Sequence, residues 1–191
     1  MFGELLSRGR ATGLRIHCDS IGPESADPTM AMVGKAAATY PNVGSTLPAG
    51  WRRSPADAVK LAEWGVAVRI VKGQWSDPGG PVSDIRLDYV ALARTLAGKG
   101  IRVGVATHDR RVAQESISLL VAAGTPCDME QISGLPQNCA SIARSLGVPF
   151  RVYIPFGYPY LPYNIWQVRT RPAVAMWALR DFIAGKHRPV R

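Results

Sequence analysis

The sequence predicts an α/β protein built on a parallel sheet. Two observations predict it. Short β-type runs alternate with segments of helical length, and those runs are continuously apolar rather than alternating, as in strands covered on both faces. A third observation, polar residues at the ends of several runs, favours a barrel over an open sheet.

The elements follow in order. The chain opens with a helix-like segment over residues 2–8 rather than with a strand. The first β-type run, 14–18, leads to a helix over 28–40 with Asp27 as N-cap. The second run, 43–47, leads to a helix over 55–64, where Ser54 precedes the start, Asp57 sits in the first turn and Gly65 is a stop signal. The third run, 66–71, precedes a helix over 84–97 that ends at Gly98 and Gly100. The fourth, 101–106, precedes a helix over 110–123, capped by Asp109 and stopped by Gly124. The fifth, 127–132, is followed by 137–146 and Gly147, and the sixth, 148–154, by 166–184.

These are six βα units in one domain spanning 1–191, with helices long enough for right-handed crossovers. An open doubly wound sheet and most of a (βα)8 barrel both accommodate them. No Gly-x-Gly-x-x-Gly follows the first run, which weakens the dinucleotide-binding version. Six units fall about two short of an eight-stranded barrel. The expectation is therefore a TIM-barrel-type (βα)8 fold with its first two strands missing and an open edge for something else to cover.

Composition sets limits. The 191 residues suffice for one domain with a real core, and 47% apolar with 19% charged residues exclude a disordered chain. Cys18, Cys127 and Cys139 fit no zinc spacing, and their odd, sparse number points to a reduced, cytoplasmic setting. No apolar run approaches the ~18–20 residues of a membrane span, and the first residues are too weakly apolar for a signal peptide. The net charge of +9 is scattered in ones and twos, with no interleaved aromatic platform. No specific nucleic-acid binding is expected; a phosphate-bearing cofactor or simple solubility explains the charge.

The strand ends carry the chemistry. Val68-Arg69-Ile70-Val71-Lys72-Gly73 places an arginine inside an apolar run and ends it in a cation and a glycine. A buried guanidinium is costly unless something anionic or polar receives it, so this strand resembles one wall of a ligand site. Val105-Ala106-Thr107-His108 and Val152-Tyr153-Ile154-Pro155-Phe156-Gly157 end in the same polar manner.

These strands resemble those of the proline dehydrogenase family, flavin-dependent enzymes on a (βα)8 barrel. Val68 to Gly73 is similar to the family's Arg-Leu-Val-Lys-Gly strand. Asp19, with Asp27-Pro28-Thr29-Met30 after it, resembles the Asp-Met-Glu strand end and the later Asp-x-Thr-Leu. Asn42-Val43-Gly44, with Leu47, Ala49 and Arg53-Ser54, resembles the next strand. Ala106-Thr107-His108-Asp109 resembles Ala-Thr-His-Asn. Asp128-Met129-Glu130-Gln131-Ile132-Ser133-Gly134 resembles Glu-Phe-Gln-Met-Leu-x-Gly, and Arg151 to Gly157 resembles Arg-Val-Tyr-x-Pro-Tyr-Gly. The matches come in family order from Leu14 to Pro172.

The resemblance implies oxidation of proline to a cyclic imine by hydride transfer to FAD. Arg69 is then the cation beside the reactive edge of the flavin, favouring its anionic reduced form; an arginine paired with Asp or Glu inside the barrel is the alternative. Val71, Lys72 and Gly73 would lie along the cofactor, with Ala106, Thr107, His108 and Glu130. The hydroxyl, the imidazole and free amides at the following helix N-terminus would suit the pyrophosphate or adenosine side. Asp19 corresponds to the active-site carboxylate, Ile132 to an apolar substrate contact, and Tyr163 to the tyrosine over the substrate ring. His17 and His187 match nothing and are read as structural. The family also implies a quinone electron acceptor, hence a location peripheral to a membrane as an alternative to a purely cytoplasmic one.

The departures are specific. Where the family clamps the substrate carboxylate with two arginines, this chain has Trp166 and Gln167, with Thr170 for the accompanying glutamate. Neither side chain replaces a bidentate clamp. Arg169 lies ~200° around the helix from Gln167 at ~100° per residue. Pro48 and Gly50 stand where the family has Gln and Tyr, Gln74-Trp75 replaces Ala-Tyr, and Glu130 replaces Gln, which brings a negative charge to the flavin site unless Arg69 pairs with it. The alternatives are an oxidoreductase acting on a proline relative without a free carboxylate and a catalytically degenerate or partner-dependent barrel fragment without its own activity.

Overall fold

The computed structural model describes residues 2–80, 84–133 and 135–154. The expectations for the helix over 166–184 and for Tyr163, Trp166, Gln167, Thr170 and Arg169 lie outside these residues, as does His187. The element order is α1 (Phe2–Thr12), β1 (Ile16–Cys18), a 3-10 turn (Pro23–Ser25), α2 (Ala26–Ala37), β2 (Val43–Pro48), α3 (Ser54–Glu63), β3 (Ala67–Val71), α4 (Ile85–Leu96), β4 (Val103–Ala106), α5 (Arg110–Ala122), β5 (Cys127–Ile132), α6 (Ala140–Ser145) and β6 (Phe150–Tyr153).

All six strands are parallel and lie in the order β1-β2-β3-β4-β5-β6. This order decides between the two folds. A doubly wound sheet reverses its strand order at a switch point and so covers both faces with helices. Here the order never reverses, and right-handed crossovers in one direction put the helices on a single face. The sheet therefore curls into a half-barrel, helices outside; the described residues supply six strands of it, not eight.

The pleat assigns the two faces. Val68 and Ile70 of β3, Val103 and Val105 of β4, and Met129 of β5 are essentially inaccessible and meet Leu61 of α3, Leu92 and Leu96 of α4, and Ile117 and Leu120 of α5 in one core cluster. Tyr89 of α4 is locked to the sheet by its hydroxyl, which donates to the Ile70 carbonyl at 2.7 Å. The alternate residues face the concave side. Two of them are glycines for steric reasons. A Cβ on Gly44 would run into the His17 ring, and one on Gly104 would lie 2.7 Å from Glu130 Oε1.

Several helix ends differ from expectation. Asp27 lies inside the first turn of α2 rather than capping it, because the 3-10 turn starts the helical path earlier, and its carboxylate bonds Arg53 at 2.7 Å. The first helix runs on to Thr12. Asp109 caps α5 as expected, its carboxylate accepting from the Arg111 and Val112 amides. By contrast α6 begins at Ala140, not at 137, because the Asn138 side chain is drawn to the His108 carbonyl and to Gln131.

Candidate active site

The carboxyl ends of the strands surround a cavity of about 440 Å³. Asp19, Arg69, Val71, Lys72, Gly73, Ala106, Thr107, His108, Glu130 and Ile132 all line it. These are all the candidate site residues that fall within the described chain. Strand parity explains the convergence. Arg69 and Val71 share one face of β3, Glu130 and Ile132 one face of β5, and all four point away from the helix-covered core.

At the floor, Arg69 Nε donates to Glu130 Oε2 at 2.7 Å, with both side chains largely buried. The guanidinium also lies 5.4 Å from the centre of the Tyr153 ring, a cation–π distance. Arg69 is thus the paired arginine of the alternative reading, and Glu130 is its partner. Each charge offsets part of the other's desolvation cost.

His17, on β1, lies over Gly44 close to this pair. Its pKa is lowered to about 4, first by burial and then by the positive charge of Arg69, so the ring is neutral near pH 7. Its Nδ1 is buried without a hydrogen-bond partner among the described residues, and the same holds for Thr46 Oγ1.

The β4 end is held by a polar network. Gln131 Nε2 donates to the Thr107 carbonyl at 3.1 Å and to Asn138 Oδ1 at 2.9 Å, and its Oε1 accepts from the Cys139 amide. With both amide hydrogens used, His108 Nδ1 donates to the Pro136 carbonyl at 3.2 Å, which leaves Nε2 as the acceptor nitrogen. Burial lowers the pKa of His108, against the opposing pull of that carbonyl. The expectation of free amides at this helix N-terminus is corrected. Asp109 occupies those of Arg111 and Val112, and its other oxygen pairs with Arg86 at 2.8 Å. Burial raises the Asp109 pKa, but these bonds outweigh it and leave it lowered.

The mouth is aromatic. Trp51 Nε1 donates to the Trp75 carbonyl at 3.0 Å, and Asp77 accepts from the Arg52 amide at 2.9 Å, so the loop after β3 is pinned to the loop after β2. Gly73 has φ of +92°, and a Cβ there would lie 2.8 Å from Pro48 Cβ. Lys72 is exposed at this rim and has no ion pair among the described residues. Asp19 is exposed on the opposite side. Sequence reasoning did not single out Ser20, Ile21, Thr46 or Trp51, all of which line the cavity. Parity could have found Thr46, two residues before Pro48 on the same face; the other three sit on loops that carry no periodic signal. Among the described residues no group of His, Cys, Asp and Glu could hold a metal ion, and no helix is long and apolar enough to cross a membrane.

No family model matches the chain. Curated relatives do. The chain is 24% identical over 161 residues to a protein of Deinococcus radiodurans named proline dehydrogenase, an alignment covering 81% of this chain and 51% of the relative. It is 23% identical over 154 residues to the protein named proline dehydrogenase 1 of Bacillus subtilis subsp. natto, covering 75% of this chain and 50% of the relative. The same figures hold for the protein of that name in Bacillus subtilis strain 168. The chain spans about half the length of the curated relatives it matches.

Proposed function

We propose, from the premise that this chain is a divergent member of the proline dehydrogenase family, that it is an FAD-dependent oxidoreductase of the proline dehydrogenase type. It would take a hydride and a proton from proline or a related cyclic imino compound and leave a pyrroline-type imine. The observation that carries this reading is the convergence of ten candidate residues from separate strand ends on one cavity.

The cavity fits the ring of a flavin. Trp51, Trp75 and Tyr153 give it aromatic walls, Arg69 offers donors to a polar ring edge, and Gly73, lacking a Cβ, lets the loop after β3 lie against Pro48. Lys72 is the cation suited to the pyrophosphate, since Asp109 takes the Arg111 and Val112 amides of α5. Bound FAD would supply the two-electron acceptor; the protein supplies placement and electrostatics. Asp19 and Ile132 would face the substrate, and Tyr163, Trp166 and Gln167 are proposed to complete its pocket. A quinone is the proposed electron acceptor, and a second polypeptide the proposed cover of the open barrel edge.

The ion pair of Arg69 with Glu130 favours a second reading, a degenerate or partner-dependent barrel, because it withdraws the positive charge that would stabilise a reduced anionic flavin. The visible absorption spectrum of the purified chain with added FAD separates the two. A flavin band that is bleached by proline or a proline derivative supports the oxidoreductase. A chain that retains no flavin band once excess FAD has been removed supports the second reading.

A further inference from the structure

The amino-terminal ends of the strands carry charge that the cavity does not use. Arg15 and Arg102 stand one residue before β1 and β4, and Asp128 and Arg151 are the second residues of β5 and β6. Strand parity puts them on the inner face, in line with His17, Gly104, Glu130 and Tyr153. None of Arg15, Arg102, Asp128 and Arg151 lines the cavity. Both oxygens of Asp128 are taken, one by Arg102 Nη1 at 2.8 Å and one by Arg151 Nε at 3.2 Å. Arg15 stands on the facing wall, and the curl of the sheet brings it within reach of both. Its pKa is lowered, first by partial burial and then by the positive charges of Arg102 and Arg151, against the pull of Asp128 and Glu130. Among the described residues Arg15 has no ion pair. Outside them the sequence holds one acidic side chain, Asp181, against six lysines and arginines. Three guanidiniums therefore share one carboxylate, and the chain has little else to balance them.

We propose that this end of the half-barrel binds a phosphate dianion, free or carried on a small molecule, between Arg15 of one wall and Arg102 and Arg151 of the other. A guanidinium has five N–H donors, and Asp128 takes one nitrogen from Arg102 and one from Arg151, so every fork keeps donors to spare. A tetrahedral oxyanion accepts from several forks at once, in the bidentate geometry that arginine favours. Two negative charges also bring three arginines and one aspartate to neutrality, which chloride or a single carboxylate does not. Arg15 and Arg151 are exposed, so the site opens to solvent. It lies at the opposite strand ends from the cavity and does not depend on the flavin reading.

The test is thermal unfolding of the whole chain at about pH 8, where phosphate is mostly a dianion, with phosphate replacing chloride at constant ionic strength. The midpoint should rise with phosphate and level off, as binding to the folded state requires. A rise that never saturates, or none beyond that in chloride, is at most the general effect of the salt and would overturn the proposal. Calorimetric titration gives the affinity. Arg15→Gln should weaken phosphate at least about tenfold. Without phosphate its midpoint should equal or exceed the parent's, since a like charge has gone. Arg15→Lys, which keeps the charge without the fork, should fall between the two in affinity. Lys72→Gln should keep the phosphate-dependent rise, because Lys72 stands at the cavity rim. Loss of the rise in Lys72→Gln with retention in Arg15→Gln would also overturn the proposal, by assigning the phosphate to the cavity. Ribose 5-phosphate binding more tightly than phosphate identifies a carried phosphoryl group, and binding no more tightly identifies the free ion. Failure to bind FAD, with the Arg15-dependent rise present, removes the oxidoreductase reading alone.

Discussion

His17 shows how much a single side chain depends on what surrounds it. It lies half-buried against Gly44 and near Arg69, and its pKa of about 4 is well below the ordinary 6.5. Between those values the unfolded chain takes up a proton that the folded one refuses. Stability should therefore be unaffected by this group above pH 6.5 and should fall as pH drops towards 4, by on the order of 2–3 kcal/mol. Urea midpoints at pH 7 and about pH 4 measure it, and His17→Phe should show a smaller fall. Gly73 is a second residue-scale case. At φ +92° and against Pro48, Gly73→Ala should cost about 1–3 kcal/mol; a stability loss below about 0.5 kcal/mol would show that the rim relaxes freely. The sequence singled out Gly73 because it follows a cation at a strand end. It left His17 as structural, since nothing along the chain says that Gly44, a whole helix away, makes room for an imidazole.

At the level of elements, local signals were legible wherever the side chain serves its own segment. Asp84 and Asp109 read as helix starts and do cap α4 and α5. Asp109→Ala should lower stability by about 1 kcal/mol, as cap removal usually does. Chemical denaturation checks this, and an unchanged midpoint would mean that the helix end is held by other contacts. The strands were found within a few residues because buried parallel strands are continuous apolar runs. Where a side chain serves a distant segment the reading failed: Asn138 looks helical, yet it bonds the end of β4 and delays α6. The Gln131 network is invisible for the same reason, since it joins strand β5 to the loops after β4 and β5.

For the whole molecule, periodicity alone could not choose between a doubly wound sheet and a barrel, because strand order is a property of pairings and not of segments. The convergence of polar strand ends pointed to the barrel side, and the sequential order agrees. Away from the cavity, on the inner face, Asp128 is 3% exposed at its side chain and accepts from Arg102 at 2.8 Å and Arg151 at 3.2 Å. It ties the segment before β4 to β6 through β5. Asp128→Ala leaves two partly exposed cations without their shared partner and should cost about 2 kcal/mol. An equilibrium unfolding curve tests this, and a loss below about 1 kcal/mol would mean that solvent screens the arginines.

The unbroken order of strands has a consequence for how the chain comes into being. Each strand pairs with the strand next made, so its partner leaves the ribosome one helix later. Among the described strands none has to wait for a distant segment before it can pair. A nascent chain can add one βα unit at a time, and each new helix covers the apolar face of the strands just laid down. The order of synthesis and the order of assembly then coincide, and at any moment the growing edge is a single strand wide.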